Sequence, residues 1–111
     1  MNADCTELNM ELMRSAAKEA TVALRALANE DRLLLLCQLS QGEKSVGELE
    51  ELLDIHQPSL SQQLGVLRSE GLVSTRRDGK RIYYSIADEK VLALLAAMYE
   101  LYCPKPEGEN P

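Results

Sequence analysis

The chain has 111 residues, with 18 Asp and Glu against 12 Lys and Arg, a net charge of −6, four Tyr and no Phe or Trp. That length suits one domain with a modest core. No apolar run reaches the roughly 18 residues of a membrane span, and no basic segment followed by an apolar stretch opens the chain, so the expectation is a cytoplasmic protein without membrane partner or signal peptide.

Residues 1–6 are expected to be a flexible N-terminus, 7–103 a single domain and 104–111 a disordered, Pro-rich tail. Met13, Ala16, Ala17, Ala20, Leu24 and Leu27 follow helical spacing and predict a first helix from about Glu7. Asn29 suits the N-cap of a second helix, whose Leu33-Leu34-Leu35-Leu36-Cys37 run leaves no polar face to expose. Ser45-Val46-Gly47-Glu48 is an S-x-x-E capping box opening a third helix to about Leu53, followed by the short polar connector 54–57.

The most informative stretch runs from Gln57 to Val73. Pro58 suits a first helical position. Leu60, Leu64 and Leu67 form one apolar stripe, and Gly71 stops the helix. Ser59, Ser61, Gln62 and Gln63 are then expected to point away from the stripe, as hydroxyls and amides suited to phosphates and base edges. A short helix, a tight turn and this second helix make a helix-turn-helix. Any small helical domain has two helices and a turn, so the next element matters. Segments 72–77 and 81–86 alternate like strands around Asp78-Gly79-Lys80, a hairpin signal, with Ile82, Tyr84 and Ile86 on one face. The hairpin carries Arg76, Arg77, Lys80 and Arg81 against Asp78. Such cations are ordinarily a solvated tip; directly after a recognition helix they make a winged helix, with the wing along phosphates.

Charge distribution agrees. Residues 57–86 hold five cations against two acids, whereas 1–56 carry −6 and 87–111 carry −3. The basic segment is the one patterned for DNA, and the acidic remainder disfavours non-specific contact. The candidate DNA-contacting residues are Gln57, Ser59, Ser61, Gln62, Gln63, Arg68, Arg77, Lys80 and Arg81. A last helix starts near Asp88 with two apolar stripes, Val91, Leu94, Met98, Leu101 and Leu92, Leu95, Tyr99, Tyr102. A helix apolar nearly all round must be covered on both sides. This predicts a homodimer through the first and last helices, against the alternative of a helix buried within its own chain.

The predicted fold is therefore mainly α with a β-hairpin wing, α-α-α-α-β-β-α. In that order of elements the chain resembles the ArsR/SmtB family of dimeric winged-helix repressors over roughly residues 18–103. The resemblance rests on Leu27-Ala28-Asn29-Glu30-Asp31-Arg32-Leu33, Ser45-Val46-Gly47-Glu48-Leu49, Ser59-Leu60-Ser61-Gln62-Gln63-Leu64, Leu67-Arg68-Ser69-Glu70-Gly71-Leu72-Val73 and Arg81-Ile82-Tyr83-Tyr84. Many members have a histidine where this chain has Gln63. The resemblance implies double-stranded DNA, an inverted-repeat operator, as partner. Family cation sensors place cysteines in the third helix or Asp/His ligands along the last. Here the third helix has no thiol, the last has no histidine, and the single His56 lies in the turn, where a solvated role or a phosphate contact is the ordinary one. No metal or other cofactor is expected.

Three cysteines remain: Cys5, Cys37 and Cys103. From the residues alone, buried inert thiols are favoured over a redox switch, since Cys is among the most buried residue types and a persistent disulfide is out of place in a reducing cytosol. The resemblance shifts this. The chain looks most like the BigR/SqrR/HlyU-like group, which has one cysteine in the second helix and one at the end of the last, as Cys37 and Cys103 are here. Members respond to reactive sulfur species or oxidants by joining the two thiols, so the resemblance implies a repressor whose reduced form binds DNA. Cys5 is similar to an N-terminal cysteine of some relatives, or is a dispensable free thiol. The alternatives are a metal-responsive or ligand-independent regulator with structural cysteines, and a thiol oxidoreductase. The last would want a C-x-x-C or a Cys–His pairing; the sequence has no C-x-x-C, and no P-loop or GxGxxG either, so no enzyme is expected.

Overall fold

The computed structural model describes residues 9–103. The expected flexible terminus 1–6, the tail 104–111 and Cys5 lie outside the described residues. The elements are α1 (Met10–Leu27), α2 (Glu30–Leu39), β1 (Lys44–Ser45), α3 (Val46–Leu53), α4 (Ser59–Ser69), β2 (Val73–Asp78), β3 (Arg81–Ile86) and α5 (Glu89–Tyr102). This is the predicted order with one addition. The short β1 pairs antiparallel with β3, placing Lys44 opposite Tyr84 and Ser45 opposite Tyr83, so the wing is a three-stranded sheet of order β1-β3-β2.

Short-range chemistry sets the boundaries. Asn9 Oδ1 accepts from the Leu12 N–H (2.8 Å) to start α1. Asn29 Oδ1 accepts from Arg32 N–H (3.0 Å) to start α2, as predicted. At α3 the capping box closes in both directions: Ser45 Oγ accepts from Glu48 N–H (3.2 Å), and Ser45 N–H donates to Glu48 Oε1 (2.8 Å). Those hydrogen bonds, with the nearby Lys44 and Arg81 charges, hold the Glu48 carboxyl below the usual range. Ser45 is itself buried. Ser45→Ala is expected to lower stability by about 1 kcal/mol, seen as an earlier urea midpoint at unchanged slope; an unmoved midpoint would mean the cap contributes nothing.

α4 ends in a Schellman arrangement. Gly71, at φ +76°, donates to Arg68 O (3.0 Å), and Leu72 N–H donates to Leu67 O (3.0 Å). The wing turn is centred on Gly79-Lys80, with Gly79 at φ +66° and Asp78 paired to Arg81. A glycine at the first central position fits a II′ turn. Asp78 therefore belongs to the strand, one residue from the turn that the Asp-Gly pair suggested.

The core gathers on α2. Leu35 and Leu36 are fully buried, as are Leu49, Leu60, Leu67 and Val91. The Leu60/Leu64/Leu67 stripe packs inward as the spacing predicted. Two expectations change. Leu34 is 40 % exposed, because a helix with Leu35, Leu36 and Leu39 inside turns Leu34 outward. In α5 the inward face takes residues from both predicted stripes, Val91 and Leu95 buried with Leu94 and Met98 packed against the core, while Leu92, Tyr99, Leu101 and Tyr102 stay exposed.

Candidate nucleic-acid interface and thiol pair

With its leucine stripe inside, α4 presents the opposite side to solvent. The structure differs from expectation at its N-terminus, where Pro58 is the N-cap and supplies no side-chain cap. Gln57 serves instead: its Oε1 accepts from Ser61 N–H (3.2 Å) and from the Ser61 hydroxyl. Gln57 and Ser61 are both exposed but spend polar atoms on each other. Ser59 is half-buried in the first turn, whereas Gln62 and Arg68 are exposed. Gln63, expected to point away from the core, is half-buried, and its Oε1 accepts from Arg32 Nη1 (3.0 Å).

One outward residue escaped the sequence reading. Val66, one turn on from Gln62, is 38 % exposed. Its neighbour Gly65 has nothing within 4 Å of where a Cβ would stand. The i, i+4 step from Gln62 was the signal that could have revealed Val66.

The four wing cations separate into two kinds. Arg76 is committed within the protein: Nε donates to Glu43 Oε2 (2.9 Å) and Nη2 to Glu43 Oε1 (2.7 Å), a bidentate pair, and the guanidinium stacks 4.7 Å from the Tyr83 ring centroid. These bonds hold the Glu43 carboxyl below the usual range. Arg77, Lys80 and Arg81 are exposed. Arg81 lies close enough to Glu48 to help lower its carboxyl pKa. His56 is exposed in the turn, its Nε2 2.8 Å from Asp54 Oδ1 and its Nδ1 3.5 Å from Glu50 Oε2. Among the described residues no three His, Cys, Asp or Glu side chains converge as metal ligands.

Cys37 is half-buried on α2 and Cys103 is exposed at the C-cap of α5. Burial pushes the Cys37 thiol up, and the charge of the Cys103 thiolate adds to that rise. The two sulfurs are thus within electrostatic reach, a proximity that their spacing in the chain did not reveal. Between α1 and α5 runs a groove of about 470 Å³ lined by Ala16, Ala20, Ala23, Leu24, Ala93 and Leu94, with the Lys90–Glu19 ion pair at its edge.

The model for bacterial regulatory proteins of the arsR family matches residues 29–75, from the cap of α2 into β2. The biofilm growth-associated repressor of Agrobacterium fabrum is 49 % identical over 105 residues, covering 95 % of this chain and 90 % of that one. The chain belongs to the ArsR family. It is a transcriptional regulator of that family and not an enzyme. Reduced HlyU from Vibrio cholerae superposes with a TM-score of 0.82 at 40 % identity, covering 86 % of this chain and all of that one. A homodimeric winged helix-turn-helix DNA-binding domain from Mycobacterium bovis superposes at 0.72 with 33 % identity, covering 84 % and 86 %. No described helix of this ArsR-family chain is long and apolar enough to cross a membrane.

Proposed function

We propose that the protein is a homodimeric repressor whose reduced form binds an inverted-repeat operator and whose affinity falls when Cys37 and Cys103 are joined. Several observations support the DNA reading. α4 is a helix with a buried leucine back and an outward face of Gln62 and Val66, with the half-buried Ser59 in its first turn. Arg68, Arg77, Lys80 and Arg81 flank it, exposed, as phosphate partners. Gln57 and Ser61 shape the helix start and are the backbone-facing end of the same surface. Two recognition helices in successive major grooves sit about 34 Å apart, so a dimer is required. The exposed Leu24, Leu92, Leu101 and Tyr102 on α1 and α5 supply an apolar surface for it, and the Mycobacterium bovis relative is itself homodimeric.

The switch rests on one observation: the Cys103 thiolate is near enough to Cys37 to disfavour its ionisation. Cys103, the exposed thiol, reacts first. Its thiolate attacks the terminal sulfur of an organic persulfide, breaking the S–S bond and releasing the organic thiolate. The Cys37 thiolate then displaces hydrosulfide from the protein persulfide. Two protein thiols are oxidised to a disulfide, the persulfide sulfur is reduced, and one organic thiol and one hydrogen sulfide leave. Hydrogen peroxide reaches the same disulfide through a sulfenic acid, with two waters formed. The bridge ties α2 to the end of α5, beside the proposed dimer surface.

The test is a gel shift on the DNA upstream of the protein's own gene, with reduced and persulfide-treated protein. Binding lost on treatment and restored by dithiothreitol supports the switch. Binding unchanged would leave an ArsR-type DNA-binding regulator whose half-buried Cys37 is packing. Ultracentrifugation at micromolar concentration is expected to show a dimer; a monomer would sink the inverted-repeat reading.

A further inference from the structure

The guanidinium of Arg32 sits where three helices meet. From the first turn of α2, its Nε donates to Ala26 O (2.9 Å) and its Nη2 to Arg25 O (3.0 Å) in the last turn of α1. Its Nη1 donates to Gln63 Oε1 (3.0 Å) on α4, 31 residues away in the chain. The C-terminal end of a helix carries partial negative charge, so a cation suits those α1 carbonyls. A guanidinium only donates, so the Gln63 amide must turn its oxygen inward. α1 and α4 both pack against α2, and Arg32 gives them a polar link besides. The Arg32–Gln63 bond is part-buried, where a lost hydrogen bond is felt more than at the surface.

We propose that Arg32 and Gln63 are positioning residues for DNA binding. Their hydrogen bond sets α4 against the C-terminal end of α1, and Gln63 acts on the placement of the recognition helix rather than on the operator. The inference rests on the reading of α4 as the helix that meets DNA. It gives the helix that carries the proposed dimer surface a direct handle on the helix that meets the groove.

Two substitutions at one position separate this from a DNA contact. Gln63→Glu keeps the acceptor for Arg32 and makes the bond charge-assisted. Gln63→Leu removes the acceptor at similar size. A carboxylate aimed at DNA would be repelled by phosphate, so a contact role makes Glu the worse of the two. In anisotropy titrations of the reduced full-length chain against its upstream DNA at several salt concentrations, Gln63→Glu is expected to bind at least as tightly as Gln63→Leu. Gln63→Leu is expected to lose about 2- to 30-fold with its salt slope unchanged. The Arg32→Ala/Gln63→Leu double variant is expected to bind no more weakly than the weaker single variant. Should Arg32→Ala fail to fold by circular dichroism, Arg32→Lys, which keeps the charge but not the fork, takes its place in the cycle. Glu weaker than Leu, a slope reduced in the Leu variant, or additive losses would each overturn the proposal while the wild type still binds. A wild type that does not bind would overturn the reading of α4 itself.

Discussion

In a gel shift on the upstream DNA, the Cys37→Ser and Cys103→Ser proteins are expected to bind as the reduced wild type does and to remain bound after persulfide treatment. Serine keeps the size of each side chain and removes the sulfur needed for the proposed bridge. A coupling of only about 1.4–4 kcal/mol is enough for a tenfold to roughly thousandfold loss of affinity, so the wild type should release over that range while either variant does not. The chemistry is ordered by the environments of the two thiols. Cys103 is exposed, whereas burial and then the Cys103 charge raise the Cys37 thiol. Iodoacetamide should therefore label Cys103 before Cys37. Since Cys37 ionises only above its ordinary range, the rate of bridge closure should keep rising with pH past the point where an unperturbed thiol levels off. A double variant that still releases on treatment would sink the mechanism.

Removing the three exposed wing cations together is the other large effect. Arg77→Ala/Lys80→Ala/Arg81→Ala would take away three of the proposed phosphate partners per protomer, six in the proposed dimer. Each neutralised phosphate contributes about 0.9 to the logarithmic salt slope, so the slope is expected to flatten by about five. At moderate salt the affinity should fall by about a hundredfold or more, by the same counterion argument. All three side chains are exposed, so the melting temperature should barely move. Arg76→Ala is the informative control. Its charge is already spent on Glu43 and stacked on Tyr83, so it should flatten the slope much less than its neighbours do. Equal slopes for the triple variant and wild type would remove the wing from the interface.

What could be read from the chain was local. The Ser45/Glu48 box, the Asn29 cap, the leucine stripe of α4 and the Gly71 stop act over three to seven residues, and the structure has each of them. What escaped depends on residues far apart. β1 is two residues long, too short to show any period, and exists because β3 pairs with it. The Arg32–Gln63 and Arg76–Glu43 bonds join residues 31 and 33 apart, so no spacing rule could find them. That is why Gln63 looked outward on a helical wheel and why nothing in the sequence tied Arg76 to Glu43. Val66 was overlooked because an apolar residue on a polar face does not announce itself, and the inward face of α5 was divided by tertiary packing rather than by its own repeat.

Ser45 ends β1 opposite Tyr83 and caps α3 in the same residue. No linker therefore separates the wing from the helix-turn-helix, and Glu43 clamps the hairpin from the preceding residues. Between the wing and the helix-turn-helix there is thus no linker for the proposed sulfur bridge to bend. On the proposed switch, such a bridge is expected to act on the gap between two heads, and the length of the operator spacer is the variable expected to govern release. Sites with identical half-sites but one base pair added or removed between them should change rank when the thiols close, with the longer or shorter spacer gaining on the natural one.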